Sequence, residues 1–459
     1  MTDTVKNAAT ADAVKRDTLK NTVLFAVVFG LIIGSGFFTG WNNVLFTINM
    51  GLISAIMALG VNLQWGFAGL FNVGVMGFVA LGGLAAVLIG MPATPGAFAA
   101  GGTGVLVALA LGAGTMVAAV LTYRRMAPGR NRSLALMAIL IVGFFVFRGF
   151  LDPNVALIED VNPAATGYLG GLNPGSEETY RDNGLIMLLA WPVGGVLAAG
   201  AAWLIGKAAL GLRSDYLAIA TLGIAEIIIA VLKNEDWLTR GVKNVVGIPR
   251  PVPYELDLQN SAQFVERAAA MGFDPVEGST LWVKVLYAAL FAIVLGIIFW
   301  LSQRALNSPW GRMLRAIRDN EVAAEAMGKD VTARHLQVFI LGSAICGVAG
   351  AMMTTLDSQL TPGTYQPLRF TFLVWVMVIV GGSGSNLGAI LGGFLIWFLW
   401  TTVEPLGKFV LEYATSGMAE DNWLRLHLID SAAQMRLMTM GIIMILVLRF
   451  SPRGLIPEK

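Results

Sequence analysis

Twelve apolar runs, each about as long as a bilayer-crossing helix, leave this chain few folds to choose from. A hydrocarbon core of roughly 30 Å takes about 20 apolar residues as helix. The runs lie at 22–40, 44–63, 67–90, 98–121, 134–151, 184–206, 215–232, 281–301, 336–356, 367–382, 386–403 and 434–450. The stretches 67–90 and 367–403 are rich in glycine, so they fit half-helices or a re-entrant turn as well as full spans. Backbone that leaves the helix at membrane depth survives only inside protein or beside a water-filled cavity. The fold expected is an all-α polytopic membrane protein with about 10–12 transmembrane helices.

Composition excludes the main competitors. Charged residues make up 13% of the 459, against about 25% in soluble domains, too few to clothe a soluble surface. The 54 Gly and 12 Trp suit helices that pack closely in lipid and anchor at its interfaces. A net charge of +2, from 31 Lys and Arg against 29 Asp and Glu, gives no reason to expect a nucleic-acid partner; membrane lipid is the expected surrounding. Cys346 is the one cysteine, and His335 and His427 are the two histidines. That excludes a disulfide framework and makes a metal centre or other cofactor unexpected. Residues 1–21 are polar and carry no cleavable signal pattern, so the first apolar run reads as a retained span.

Loop charge orients the spans. Arg124, Arg125, Arg130 and Arg132 occupy one loop without an acid, and Arg304, Arg312, Arg315, Arg318, Lys329 and Arg334 occupy residues 302–335. The positive-inside rule makes both loops cytoplasmic. Twelve spans then put residues 1–21 and the tail 451–459 on that side too. The loop 152–183, with Asp152, Glu159, Asp160, Glu177, Glu178 and Asp182 against Arg181 alone, falls on the other. It and the proline-bearing loop 233–280 are either plain connections or a platform for a soluble partner.

Two features look functional. Ser308-Pro309 reads as a helix start, followed by a partly apolar stripe of Leu314, Ile317, Ala324 and Met327, and Gly328 is placed to stop the helix in a left-handed conformation. This is either a solvated connector or an amphipathic element that fits a groove on another protein. Glu226 lies inside the apolar run 216–232, where an ionisable group costs about 2.5–3.5 kcal/mol on insertion scales. It is either paired in helix packing or lines a wet pathway. Asn62, Gln64 and Asn72 are candidates for the same pathway, with ordinary interhelical hydrogen bonding as the other reading.

Four segments carry a family resemblance. Gly311–Gly328 (GRMLRAIRDNEVAAEAMG) resembles the cytoplasmic loop through which permeases of branched-chain amino acid ABC transporters contact their ATPase. Asn62–Gly74 (NLQWGFAGLFNVG) is similar to the family's Asn-Leu…Gly…Gly…Ser-Leu-Gly segment. Leu212–Glu226 (LRSDYLAIATLGIAE) resembles its Leu-Arg-Gly-x-Tyr-Leu-Ala-Ile-x-Thr-Leu…Glu signature. Gly381–Gly393 (GGSGSNLGAILGG) is similar to its Gly-Gly-x-Gly…Gly-Pro-x-x-Gly region, with Asn386-Leu387 in place of Gly-Pro. The resemblance covers 44–90 and 184–403. It implies the permease subunit of an ABC importer in the bacterial inner membrane, moving branched-chain amino acids or a related small polar solute such as an amide or urea. It also implies ATP-binding subunits on the loop 302–335, with Arg315, Asn320, Glu321, Ala324 and Gly328 as the coupling residues. A second homologous permease and a periplasmic solute-binding protein complete the implied assembly.

The chain also departs from the family. A surplus between Met91 and Asn183 carries two apolar runs, an even number that keeps the downstream orientation. Arg240 and Asn244 stand where the family tends to have Gly. No Gly-Lys pair sits in a Gly-x-x-x-x-Gly-Lys-Ser/Thr frame and no catalytic constellation is recognisable, so ATP hydrolysis is expected on another chain and no enzyme activity here. The competing reading is a stand-alone secondary transporter or channel with Glu226 as its coupling site.

Overall fold

A computed structural model describes residues 2–162, 170–175, 179–212, 214–241, 244–419 and 422–458, without side chains for 2–14 and 214. Glu177 and Glu178 of the acidic loop, Arg213 and Lys243 lie outside the described residues. All twelve apolar runs become helices. The long ones are α1 (Thr2–Thr39), α2 (Trp41–Val61), α4 (Thr103–Arg125), α5 (Arg130–Asp160), α6 (Met187–Ala209), α7 (Ser214–Asn234), α8 (Pro275–Leu306), α11 (Val331–Asp357) and α13 (Asn386–Ala414). The last, α14 (Met435–Phe450), continues a shorter helix, Trp423–Asp430, into one apolar stretch of spanning length. Ten stretches among the described residues are long and apolar enough to cross a membrane.

The glycine-rich runs are the exceptions. The run 67–90 yields α3 only from Val75 to Gly90, 16 residues, and the run 367–382 yields α12 (Pro367–Gly381), 15 residues. At 1.5 Å per residue these rise about 24 and 22 Å, short of the hydrocarbon thickness. α3 is almost wholly buried among other helices, and α12 is mostly buried from Thr371 to Gly381, with Leu368 and Phe372 exposed, so most of their backbone is surrounded by protein, as membrane-depth backbone requires.

Helices α3, α6 and α11 pack together, and α2 packs against α8, α11 and α13, while α12 and α13 form a hairpin beside it. Small residues make the first contact possible: a Cβ on Gly82 would stand 1.9 Å from the Gly347 carbonyl oxygen, so only glycine lets these backbones approach so closely. Helices α4 and α5, the surplus segment, pair mainly with each other. They meet the rest near Trp237 and Leu238, and Arg148 of α5 pairs with Glu235 at 3.4 Å.

The two ends of the bundle differ in chemistry. At one end the loop after α7 is pinned by a two-stranded ladder, β1 (Val245–Val246) against β2 (Gln359–Leu360), and by Arg250, which reaches Ser358 at 2.6 Å and Glu255 at 2.9 Å. Tyr180 donates to the Gly247 carbonyl there at 3.1 Å. At the other end Thr18 and Asn21 of α1, Arg315, Ser385 and Glu458 line one cavity of about 660 Å³. Both ends of the described chain thus meet on the arginine-rich side.

Candidate translocation and coupling site

The site begins where α2 loses its regular winding. Residues Asn62–Phe67 form a wide π-type turn, a local irregularity that often marks functional positions in helices. Gly69 then takes φ +71° and the chain runs without helix to Gly74. A break of this kind frees main-chain groups at depth, and side chains satisfy them. Gln64 donates from Nε2 to the Phe339 carbonyl at 2.9 Å and to Ser343 Oγ at 3.1 Å. Its Oε1 accepts from Asn72 Nδ2 at 2.9 Å, and Asn72 Oδ1 accepts from the Gly74 amide at 2.9 Å. Trp375 of α12 donates its indole N–H to the Asn72 carbonyl at 3.0 Å.

Asn62 ties the same turn to the α12–α13 connection. Its Nδ2 donates to Asn386 Oδ1 at 3.1 Å and its Oδ1 accepts from the Gly384 amide at 2.9 Å. Asn62, Gln64 and Asn72 are all buried, and each has its amide engaged at both ends. The structure therefore brings these three together as a brace that holds the broken helix against α11, α12 and α13. Asn386, the residue in place of the family's Gly, is part of that brace.

Glu226 is elsewhere. It lies on the exposed face of α7 beside Ile227, 63% exposed, and among the described residues no hydrogen bond or ion pair engages it. It does not join the Asn62–Gln64–Asn72 group.

The loop 302–335 forms two short helices, α9 (Pro309–Asp319) and α10 (Glu321–Ala326). Ser308 caps the first, its Oγ accepting from the Trp310 amide at 3.2 Å with Pro309 in the first turn. Asn320, extended at φ −158°, separates the two and caps the second by accepting from the Ala323 amide at 3.0 Å. Gly328 ends α10 at φ +75°, as expected of its position, and the following amide closes on the Ala324 carbonyl at 3.1 Å.

The apolar stripe read from the sequence divides. Leu314, Ile317 and Ala324 bury against the chain's own residues, whereas Met327 does not join them and is 79% exposed. Val322, in the first turn of α10, is 75% exposed. Met327 lies just past the end of α10, at φ −84° and ψ 12°, where the chain leaves the helix toward Gly328. Glu321 is exposed, and Arg315 reaches back to the Leu306 carbonyl at 3.0 Å with its Nε left unpartnered.

One connection was not legible beforehand. Arg318 of α9 donates to the Gly66 carbonyl, inside the π-type turn, and pairs with Glu458 at 2.8 Å. Burial works against its charge, but the Glu458 and Asp319 carboxylates outweigh that and hold its pKa above the ordinary arginine value. The tail is fixed where Glu458 needs it, because Leu455 and Ile456 donate their amides to the Val380 and Gly381 carbonyls at 2.9 Å each. The short helix pair, the broken helix and the tail thus share one fixed cation.

Residues 164–448 match the family model described as branched-chain amino acid transport system / permease component. The chain is 27% identical over 277 residues to the probable branched-chain amino acid transport permease protein LivM of Methanocaldococcus jannaschii, covering 60% of this chain and 69% of the relative. It is 29% identical over 211 residues to the high-affinity branched-chain amino acid transport system permease protein LivM of Escherichia coli K12. That alignment takes in 45% of this chain and about half, 48%, of the relative. A probable branched-chain amino acid transport permease protein LivH of M. jannaschii is 30% identical over 112 residues, 24% of this chain and 34% of the relative. No solved structure matches.

Proposed function

This chain belongs to the family of permease components of branched-chain amino acid transport systems, and from that premise we propose that it forms the membrane path of an ABC importer for branched-chain amino acids. ATP is hydrolysed on separate subunits that grip α9 and α10. The observation that carries this reading is the pair Val322 and Met327, large apolar side chains 75% and 79% exposed in and just after a short helix beyond the membrane-spanning stretches. Water penalises such side chains, and two of them rimmed by Glu321, Glu325 and Lys329 make an anchor of the kind that fills a groove on a partner. Arg315, Asn320, Glu321, Ala324 and Gly328 then divide the work. Asn320 and Gly328 set the ends of α10, Ala324 seats it, and Arg315 and Glu321 flank the docking face.

The arginine-rich end is cytoplasmic on this reading, with both termini, and the membrane is the inner membrane. The opposite end, with the loop 233–280, receives the solute-binding protein. A second, homologous permease covers α7. Glu226 supports that placement: it stands near the middle of a 20-residue apolar stretch, where exposure to lipid costs about 2.5–3.5 kcal/mol, so its face belongs against protein or a wet pathway. Asn62, Gln64 and Asn72 shape the pathway wall from behind and transmit movement of α9 through Arg318.

The test is co-expression of the chain with the ATPase and permease subunits of its transporter, followed by co-purification and ATP-dependent uptake of labelled leucine. Val322→Glu and Met327→Glu together should abolish ATPase retention while the chain still inserts. Retention and uptake at wild-type levels in that double variant remove the assignment. Glu226→Leu should leave ATPase retention intact and lower uptake.

A further inference from the structure

Between α2, α3, α11, α12 and α13 lies a cavity of about 150 Å³ that the brace does not use. Met50, Met57, Met76 and Met377 line it together with Trp397, and Asp357 stands with Thr364 at its exposed end, beside the β2 strand that belongs to the Arg250 end of the molecule. The wall is apolar and adaptable, since methionine side chains re-pack around irregular shapes. Polar groups interrupt it at Trp397 inside and at Asp357 and Thr364 on the exposed rim. The Trp397 indole N–H is buried with no acceptor, although the residue is only 9% exposed. The Asp357 carboxylate has neither a hydrogen bond nor an ion pair among the described residues. The other polar groups nearby are occupied with each other, Thr354 and the Tyr365 hydroxyl lying 2.9 Å apart.

A void left by imperfect packing has no reason to hold a buried orphan donor, which costs free energy while unpaired. A ligand site has that reason, and the water-exposed Asp357 carboxylate at its mouth is free to take a cation. An apolar pocket with a few placed polar groups is the usual build of a small-molecule site. Its size fits too: an apolar cavity of about 150 Å³ admits benzene, which exceeds a branched four-carbon side chain. The missing charges name the head group, because a free carboxylate asks for a cation and a free indole N–H asks for an acceptor.

We propose that this cavity is a binding site within the permease for an α-amino acid with a branched aliphatic side chain. The Asp357 carboxylate receives the α-ammonium group, the methionines receive the side chain, and the Trp397 N–H supplies a donor that the α-carboxylate satisfies. The site opens at the end of the molecule where solute is delivered, so the permease contributes selectivity of its own beyond that of a binding protein. This rests on the reading of the chain as an amino acid permease, and the test keeps the two apart.

The full chain, purified into lipid nanodiscs without partners, is titrated with radiolabelled L-leucine. Binding should saturate and be competed by L-isoleucine and L-valine. It should not be competed by 4-methyl-2-oxopentanoate, which keeps the side chain and carboxylate but lacks the ammonium group. Asp357→Asn should weaken binding roughly tenfold or more, the usual loss for a hydrogen bond to a charged group, and Met57→Trp should block the cavity. Should the larger side chain prevent folding, the competition series on the unaltered chain decides alone. Absence of saturable leucine binding, equal competition by the oxo acid, or unchanged binding in Asp357→Asn overturns the site. Leucine uptake by the complete transporter that is the same with Asp357→Asn removes the site and leaves the permease reading standing. A complete transporter that moves another solute but no leucine removes the cargo reading, while the nanodisc titration reports on the site separately.

Discussion

Arg318 and Glu458, 140 positions apart, form an ion pair at 2.8 Å in which the arginine also donates to the Gly66 carbonyl. One guanidinium therefore fastens the helix α9 to two other elements, the π-type turn that ends α2 and the tail laid along Val380 and Gly381. Because the same turn carries Asn62 and Gln64, a displacement of α9 is felt at the break between α2 and α3 without passing through a flexible linker. Geometry of this kind suits a lever, since the short helix pair is fastened to a rigid brace through Arg318 and carries two exposed apolar side chains.

That fastening makes Glu458→Gln and Arg318→Met interdependent. Both side chains are about a quarter exposed, so the pair is partly screened and its coupling energy should be about 1 kcal/mol. Arg318→Met should cost more on its own, because it also strips the Gly66 carbonyl of its partner. A double-variant cycle on thermal unfolding in detergent measures the coupling, and simple additivity of the two changes would show that the pair contributes nothing.

Gln64 carries a heavier load. Replacing it with leucine keeps the volume but orphans Asn72 Nδ2 and Ser343 Oγ, both buried, and removes the second bond of the Phe339 carbonyl. Each unmet group costs about 1–3 kcal/mol, so Gln64→Leu should lower the unfolding temperature clearly, whereas Gln337→Leu on the exposed start of α11 should not. Equal unfolding temperatures for the two variants would mean that the brace holds nothing.

How much of this was legible in the residues follows from what each signal depends on. The spans were legible because hydropathy over 20 residues is a local property, and even the soft glycine-rich runs announced the two helices that fall short. The caps at Ser308 and Gly328 were legible for the same reason: capping is decided within four residues. The split of the apolar stripe was not, because it turns on where α10 ends: Met327 falls one residue past Ala326 and leaves the helix. Arg318 lay inside the recognised loop without standing out among its neighbours, and Glu458 carries no local mark at all. Their pairing exists only because the tail pairs with α12. Glu226 was legible as costly in lipid, but a one-dimensional pattern does not say which face of α7 it occupies.

Gly66 tests the packing of the turn directly. A Cβ there would stand 2.2 Å from Asn62 Oδ1 and 2.5 Å from the Gly384 amide nitrogen, closer than any real contact, and the second of these belongs to backbone. Gly66→Ala must therefore push the α12–α13 connection away and break both bonds of Asn62. The expected outcome is a severe loss of folded protein on size-exclusion chromatography in detergent. Gly114→Ala in α4, where a Cβ meets nothing within 4 Å, should behave like the unaltered chain. Recovery of monodisperse Gly66→Ala at normal yield would contradict the close approach.

Asn320 is the joint on which the docking face depends. Its side chain accepts from the Ala323 amide at 3.0 Å, and α10 is only six residues long, too short to persist on intrinsic helix propensity. Losing the cap costs about 1 kcal/mol, a large share of what holds so short a helix. Asn320→Ala should speed amide hydrogen exchange across 321–328 by roughly fivefold and leave α11 protected as before. Asn320→Asp, which keeps an acceptor in the same place, should restore the slow exchange. On the coupling reading, ATPase retention should fall with the first variant and return with the second, because α10 sets where the exposed Val322 and Met327 stand. Exchange that stays slow in Asn320→Ala would show that α10 is held by the seating of Ala324 alone, and the joint would then belong to that contact.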